Sequence, residues 1–234
     1  MNFNALHPVK LTKLYWRIAA KGCKSLLALT IVGVLALPAS PILAATPDTI
    51  LIVGDSLSAE YGLRRGTGWV SLLEKQLARE KKTAKAPKVI NASISGDTTS
   101  GGRSRLGALL TRHKPSIVVI ELGGNDALRG LPLDMTEANL TAMTQAAKKT
   151  GAKVLLLGVQ VPPNYGGAYA ATFSGLFAKV AKAEKVALMP FFLAGVADVP
   201  DVAAQFLPDR IHPNEQAQPK MLANVWPELK KLLK

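Results

Sequence analysis

Five short apolar runs, at 49–53, 88–91, 116–122, 153–159 and 186–189, alternate along this chain with longer segments whose apolar residues recur at helical spacing. Most of the runs are nearly continuous in Val, Ile and Leu, as in Ser116-Ile117-Val118-Val119-Ile120-Glu121-Leu122. A strand of that kind is buried on both faces, which requires helices packed on each side of the sheet. The intervening segments supply them. Residues 68–82 place Trp69, Leu72, Leu73 and Leu77 on one helical face. Further helices are expected near 102–113, over 136–150, at 169–184 and at 214–233. Thr136 is the expected N-cap of the 136–150 helix and Gly151 its stop. Pro219 and Pro227 are expected to break or kink the last helix. The pattern predicts a flavodoxin-like three-layer α/β/α fold with a five-stranded parallel sheet in the order 2-1-3-4-5.

In such a sheet, ligands sit beyond the carboxyl ends of the strands. Chemistry-bearing residues fall there four times in this chain. Gly54-Asp55-Ser56-Leu57-Ser58 follows the first strand, and Ser95-Gly96-Asp97-Thr98 follows the second. Gly123-Gly124-Asn125-Asp126 follows the third, and Asp209-Arg210-Ile211-His212-Pro213 lies on the long loop after the fifth. Together they hold the parts of an acyl-transfer site. A serine hydroxyl needs a base beside it and a group that orients the base. Ser56 is the candidate nucleophile, His212 the base and Asp209 its orienting carboxylate. Their spacing of three lets Asp209 and His212 meet on one tight turn. A developing oxyanion needs preplaced donors. The Ser56 amide, the Gly96 amide and the Asn125 side chain are the candidates. Glycine lets the backbone approach closely, and an Asn amide offers two N–H groups.

Each segment alone has a plainer reading. A serine after a strand is often a helix cap, and Gly, Asn and Asp favour turns on their own account. The four together outweigh those readings. Leu57-Ser58 stands where a G-x-S-x-G elbow would have x-Gly, so Ser56 is not an α/β-hydrolase nucleophile elbow. Asp55, Asp97 and Asp126 are read as loop braces. His7 and His113 are read as non-catalytic, the first in a leader segment and the second at a helix end.

These motifs resemble the GDSL, or SGNH, hydrolase family over roughly residues 48–230, and the letters of the second name are Ser56, Gly96, Asn125 and His212. The longer stretches Asn91-Ala92-Ser93-Ile94-Ser95-Gly96-Asp97-Thr98 and Glu121-Leu122-Gly123-Gly124-Asn125-Asp126 narrow the likeness. So do Pro163-Asn164-Tyr165-Gly166 and Ile211-His212-Pro213-Asn214. They are similar to the periplasmic acyl-CoA thioesterase I, lysophospholipase and arylesterase type. The resemblance implies hydrolysis of small-molecule carboxylic esters and thioesters through an acyl-enzyme, with no metal and no cofactor. Val161, Pro162 and Tyr165, with Phe192, are candidates for lining an acyl groove, or else ordinary turn and core residues. Two other functions stay open: a carbohydrate O-deacetylase using the same triad, and a flavodoxin-like binding module without catalysis. Against the second, neither phosphate-cradling glycine pattern occurs where a strand meets a helix.

The leader reading comes from the first 45 residues. Residues 1–24 carry Lys10, Lys13, Arg17, Lys21 and Lys24 and no acid, and an apolar run of 13 follows at 25–37. Small residues at Ala44-Ala45 end the segment. This is the order of a secretory signal, and the run is shorter than the roughly 18–20 residues that span a bilayer. A signal peptide over 1–45 and one hydrolase domain over 46–234 are expected, with a periplasmic or secreted product. An uncleaved anchor stays open because the basic segment is long. Cys23 precedes the apolar run, so the exported chain would have no thiol chemistry and no disulfide. The net charge of +13 includes five leader cations, which leaves 24 basic against 16 acidic residues, or +8. That excess lies largely in solvated runs. It leaves weak membrane-surface contact open, while no aromatic-basic interleaving or zinc pattern points to nucleic acid. Nothing in the sequence calls for an obligate protein partner.

Overall fold

The computed structural model describes residues 49–80 and 86–234. The expected signal segment, with His7 and Cys23, lies outside the described residues, as do Lys81 and Lys82. Five strands form one sheet: β1 (Thr49–Gly54), β2 (Lys88–Asn91), β3 (Ile117–Glu121), β4 (Lys153–Leu157) and β5 (Ala187–Met189). Their order is β2-β1-β3-β4-β5 and every pairing is parallel, as the apolar runs predict. Among the described residues six α-helices accompany them: α1 (Trp69–Glu80), α2 (Thr99–His113), α3 (Gly124–Leu128), α4 (Leu133–Lys149), α5 (Gly167–Glu184) and α6 (Gln218–Leu232).

The period of two along each strand divides the core in two. Leu51, Val53, Val118, Ile120, Val154 and Leu156 point to one face, where they pack with Leu106 and Leu110 of α2, Leu140 and Met143 of α4, and Phe173 and Phe177 of α5. Ile50, Ile52, Ile117, Val119, Leu155 and Leu157 point to the other, against Trp69 and Leu73 of α1 and Met221 and Val225 of α6. Both faces are covered, which is why the strands show no polar alternation.

Four helix starts differ from the sequence expectation, that of α6 among them, which begins at Gln218 rather than 214. α2 begins at Thr99, with the Thr98 side chain accepting from the Gly101 amide at 3.2 Å. Gly101 and Gly102 hide this start, because glycine is a poor helix former. Gly102 is required by close packing: a Cβ there would lie 2.3 Å from Leu122 Cδ1. Thr136 is not an N-cap. α4 starts at Leu133 after Pro132, and Thr136 is fully buried in its first turns with Oγ1 3.3 Å from Asp126 Oδ1. The fixed φ of Pro132 suits the approach to a helix, so the chain turns earlier than the threonine suggests. α5 likewise begins at Gly167 rather than 169. In α6, Pro219 sits in the first turn, where its missing N–H costs nothing, and the helix continues past Pro227 to Leu232.

Candidate active site

β1 delivers its last residue, Gly54, to the carboxyl edge of the sheet, and the chain turns at once. The turn is held from inside. Asp55 Oδ1 accepts from the Leu57 amide at 3.0 Å, and the Asp55 carbonyl accepts from the Ser58 and Ala59 amides at 3.2 and 3.0 Å. Asp55 and Ser58 are buried, and Ser56 between them is half-buried with its hydroxyl toward His212.

The loop after β5 presents the other half of the site. A two-residue bridge between Phe206 and Pro213 closes its last turn, and the Leu207 amide donates to the His212 carbonyl at 2.8 Å. Arg210 takes a left-handed conformation, φ 57°, which folds Asp209 back over the turn. Asp209 Oδ1 then accepts from the Ile211 and His212 amides at 2.9 and 3.0 Å. Its Oδ2 lies 2.7 Å from His212 Nδ1. A carboxylate only accepts, so Nδ1 carries the proton and Nε2 presents its lone pair. Nε2 is 2.9 Å from Ser56 Oγ, across 156 residues of sequence. Partial burial opposes the charge on Asp209, but the Ile211 amide, the His212 ring and the His212 amide outweigh it and hold the carboxyl down at about 2. Asp209 is therefore anionic at neutral pH. The structure thus brings Ser56, His212 and Asp209 into one hydrogen-bonded line.

Gly96 has φ 78°, a conformation that favours glycine, and its carbonyl accepts from Arg129 Nη2 at 2.7 Å. Among the described residues, neither the Ser56 amide nor the Gly96 amide finds an acceptor. Gly123-Gly124-Asn125-Asp126 is more than a tight turn: it starts α3, with Gly123 at φ 123° before it. Asn125 Nδ2 donates one N–H to Asp55 Oδ2 at 2.9 Å, which leaves its second N–H uncommitted to Asp55.

The three aspartates expected as braces act so in this geometry. Asp55 ties the serine turn to Asn125. Asp97 pairs with Arg105 at 2.8 Å. Asp126 accepts from the Thr99 amide at 2.8 Å and from the Thr99 hydroxyl, and so joins the starts of α2, α3 and α4. His113 ends α2, as expected.

Of the candidate groove residues, Phe192 is corrected. It has no exposed surface and packs edge-on against Trp69 at 5.4 Å, so it belongs to the core on the α1 and α6 side. An aromatic residue three positions past a strand end is as readily core as lining. Val161 is half-buried against the opposite core, and Pro162 is exposed. Tyr165 stacks on Tyr169 at 6.1 Å, Tyr169 on Phe173 at 6.4 Å, and Phe173 meets Phe177 edge-on at 5.6 Å. This ladder ends under Gly123, where a Cβ would stand 3.2 Å from Phe177 Cζ.

Two residues at the site carry no sequence signal strong enough to single them out. Tyr61 lays its ring against His212, centroid to centroid 4.3 Å. Glu121, the last residue of β3, is fully buried beneath the serine turn. Its carboxyl also explains Gly54: a Cβ at that position would lie 2.7 Å from Glu121 Oε2 and 2.8 Å from Ser58 Oγ. Gly54→Ala should therefore destabilise the fold by about 1–3 kcal/mol through overpacking, read as a lowered denaturant midpoint. An unchanged midpoint would mean that Glu121 and Ser58 move aside freely.

Comparison with known proteins gives one answer. The GDSL-like lipase/acylhydrolase family matches residues 52–218. Esterase TesA of Pseudomonas aeruginosa is 53% identical over 189 residues, covering 81% of this chain and 91% of that protein. Thioesterase 1/protease 1/lysophospholipase L1 of Escherichia coli K12 is 44% identical over 176 residues, covering 75% of this chain and 80% of that protein. A crystal structure of TesA superposes with a TM-score of 0.74 at 54% identity, covering 79% of this chain and 99% of that one. With the matched region running from β1 to the start of α6 and enclosing all four motif segments, the chain belongs to the GDSL-like lipase/acylhydrolase family.

Proposed function

We propose that this protein is a serine esterase that hydrolyses carboxylic esters and thioesters, with Ser56, His212 and Asp209 as its triad. The observation that carries this is the line Ser56 Oγ–His212 Nε2–His212 Nδ1–Asp209 Oδ2, with contacts of 2.9 and 2.7 Å. Relatives named esterase and thioesterase/lysophospholipase support the substrate class.

In the mechanism, Ser56 Oγ attacks the substrate carbonyl carbon while His212 Nε2 accepts the hydroxyl proton. The carbonyl electrons move to its oxygen. The Ser56 and Gly96 amides and the free N–H of Asn125 receive that charge, and they are oriented before the reaction begins. Collapse of the intermediate expels the alcohol or thiol, which takes the proton from His212, and leaves acyl-Ser56. Water then attacks the acyl group with His212 again accepting the proton, and the acid departs as Ser56 is restored. Asp209 keeps the ring in the productive tautomer and offsets the imidazolium charge. Val161, Pro162 and Tyr165 are proposed to border the acyl chain, with the aromatic ladder behind Tyr165 giving that wall a fixed backing. The segment 1–45 is proposed to direct export, so that the working form begins near residue 46 and acts in the periplasm or outside the cell.

The test is turnover of p-nitrophenyl butyrate by the exported form, followed by a chain-length series of aryl esters and acyl thioesters beside acetylated sugars. Turnover of aryl esters and thioesters is expected. Turnover confined to acetyl sugars would replace the proposed substrate class, and no turnover of any ester would refute the catalytic reading.

Asn125→Ala should lower kcat by about 10²–10³ with little change in KM, the usual loss for one oxyanion donor. The donor strengthens only as charge develops, so ground-state binding survives. Steady-state kinetics on the same aryl ester decide it: a raised KM at constant kcat would make Asn125 a substrate-binding group instead.

A further inference from the structure

Glu121 is a buried acid that the acyl-transfer steps leave unused. It ends β3 with no exposed surface. Among the described residues, no cationic side chain lies within ion-pair distance of it. Its Oε2 accepts from the Ser58 hydroxyl at 2.7 Å and from the Asp55 amide at 3.3 Å, and that hydroxyl accepts in turn from Trp69 Nε1 at 3.2 Å. Its Oε1 is enclosed and, among the described residues, has no partner. On the far side of the same turn, the Asp55 carboxyl accepts from the Leu57 amide and from Asn125 Nδ2. Glu121 and Asp55 thus form one buried acid network directly behind the Ser56 turn.

Such a network holds one negative charge more readily than two. A buried carboxylate without a cation is costly, and adjoining carboxyls titrate as a pair. Burial and then the neighbouring Asp55 charge push Glu121 well above the usual carboxylate range. Burial also raises Asp55, to about 6, against the opposing pull of the Leu57 amide and the Asn125 side chain. The geometry, with full burial and no cation in reach among the described residues, favours a proton on Glu121 over one on Asp55. The charge stays on Asp55, the member that faces two N–H donors.

We propose that Glu121 is a positioning residue: as a neutral acid it fixes Asp55 from behind, and through Asp55 it aims the side-chain amide of Asn125 at the oxyanion. This rests on the reading of Asn125 as an oxyanion donor. An amide free to rotate would reach the same place only part of the time, whereas one N–H fixed on an anion commits the other in direction. The cost of losing Glu121 therefore falls on kcat, where the oxyanion forms, and not on substrate affinity.

Glu121→Met keeps the bulk and removes every hydrogen bond. It should lower kcat on p-nitrophenyl butyrate at least tenfold with KM unchanged within twofold. Glu121→Gln mimics the neutral acid and should recover kcat to within about threefold of the parent. A kcat for Glu121→Met within twofold of the parent overturns the proposal, and so does a Glu121→Gln variant no better than Glu121→Met. In the Asn125→Ala background, Glu121→Met should cost nothing further, because its effect runs through that amide. Multiplying losses there overturn the link. If Asn125→Ala alone leaves kcat unchanged, the oxyanion assignment has failed, which is a separate result. Should Glu121→Met not fold, Asp55→Asn poses the same question one step nearer, since it sets an amide where Asn125 needs an acceptor. It should lower kcat at least tenfold at constant KM, and unchanged kcat overturns the proposal. An infrared difference spectrum of parent against Glu121→Gln at pH 7 should show a protonated-carboxyl stretch. Its absence means that Glu121 is ionised and the neutral-acid assignment is wrong.

Discussion

Ser56→Ala is expected to lower kcat on aryl esters by about 10⁴-fold or more while leaving the fold and its stability close to the parent's. The substitution removes one oxygen from a half-buried loop side chain whose hydrogen bond is to His212. No core contact is lost, because the turn is held by Asp55 and by backbone bonds on either side of Ser56. What disappears is the nucleophile, and no other hydroxyl is shown within hydrogen-bond reach of His212 Nε2 among the described residues. The oxyanion donors survive, so a small rate above the uncatalysed reaction remains. A fluorophosphonate probe provides a second readout: it should label Ser56 in the parent and leave the variant unlabelled. Residual kcat within tenfold of the parent would place the nucleophile elsewhere in the chain.

The sheet was readable from the sequence because its physics is repetitive. Strands buried on both faces cannot alternate, so runs such as 116–122 mark themselves, and the helical segments between them force parallel pairing. The four motif segments were readable because a parallel sheet gathers the loops after its strands at one edge. Helix starts were less legible. Thr98 caps α2, but the two glycines behind it mask that start, and α4 begins at a leucine after a proline, ahead of the threonine that reads as a cap. Phe192 illustrates a different limit: burial of an aromatic near a strand end depends on the helix packed above it, here α1 through Trp69. Glu121 had a signal that sequence reading passes over. A lone acid inside an apolar strand must either find a partner or stay neutral, and only the packed structure shows that it meets Asp55, Ser58 and Gly54.

Replacement of the two groups behind Ser56 should separate their roles. His212→Ala removes the group that, among the described residues, is placed to take the serine proton, and a loss in kcat of about 10⁴–10⁶ is expected. Asp209→Asn keeps the shape of the turn, and its amide oxygen still accepts one hydrogen bond. It forfeits the charge that offsets the imidazolium and weakens the preference for a proton on Nδ1, so its cost is expected to be about 10–100-fold smaller than that of His212→Ala. The geometry gives a reason for the difference. Asp209 does not touch Ser56; it acts through the 2.7 Å contact to Nδ1 and through the Ile211 and His212 amides that its Oδ1 holds. In Asp209→Asn the amide can turn its oxygen toward the backbone N–H groups or toward Nδ1, but it cannot serve both as the carboxylate does. The ring then spends part of its time in the wrong tautomer or turned from Ser56. Raising the pH should not restore the variant, because what it lacks is orientation rather than deprotonation. Measured kcat for both variants decides the assignment: a His212→Ala enzyme close to the parent would remove His212 as the base, and an Asp209→Asn loss larger than that of His212→Ala would show that the carboxylate does more than orient the ring.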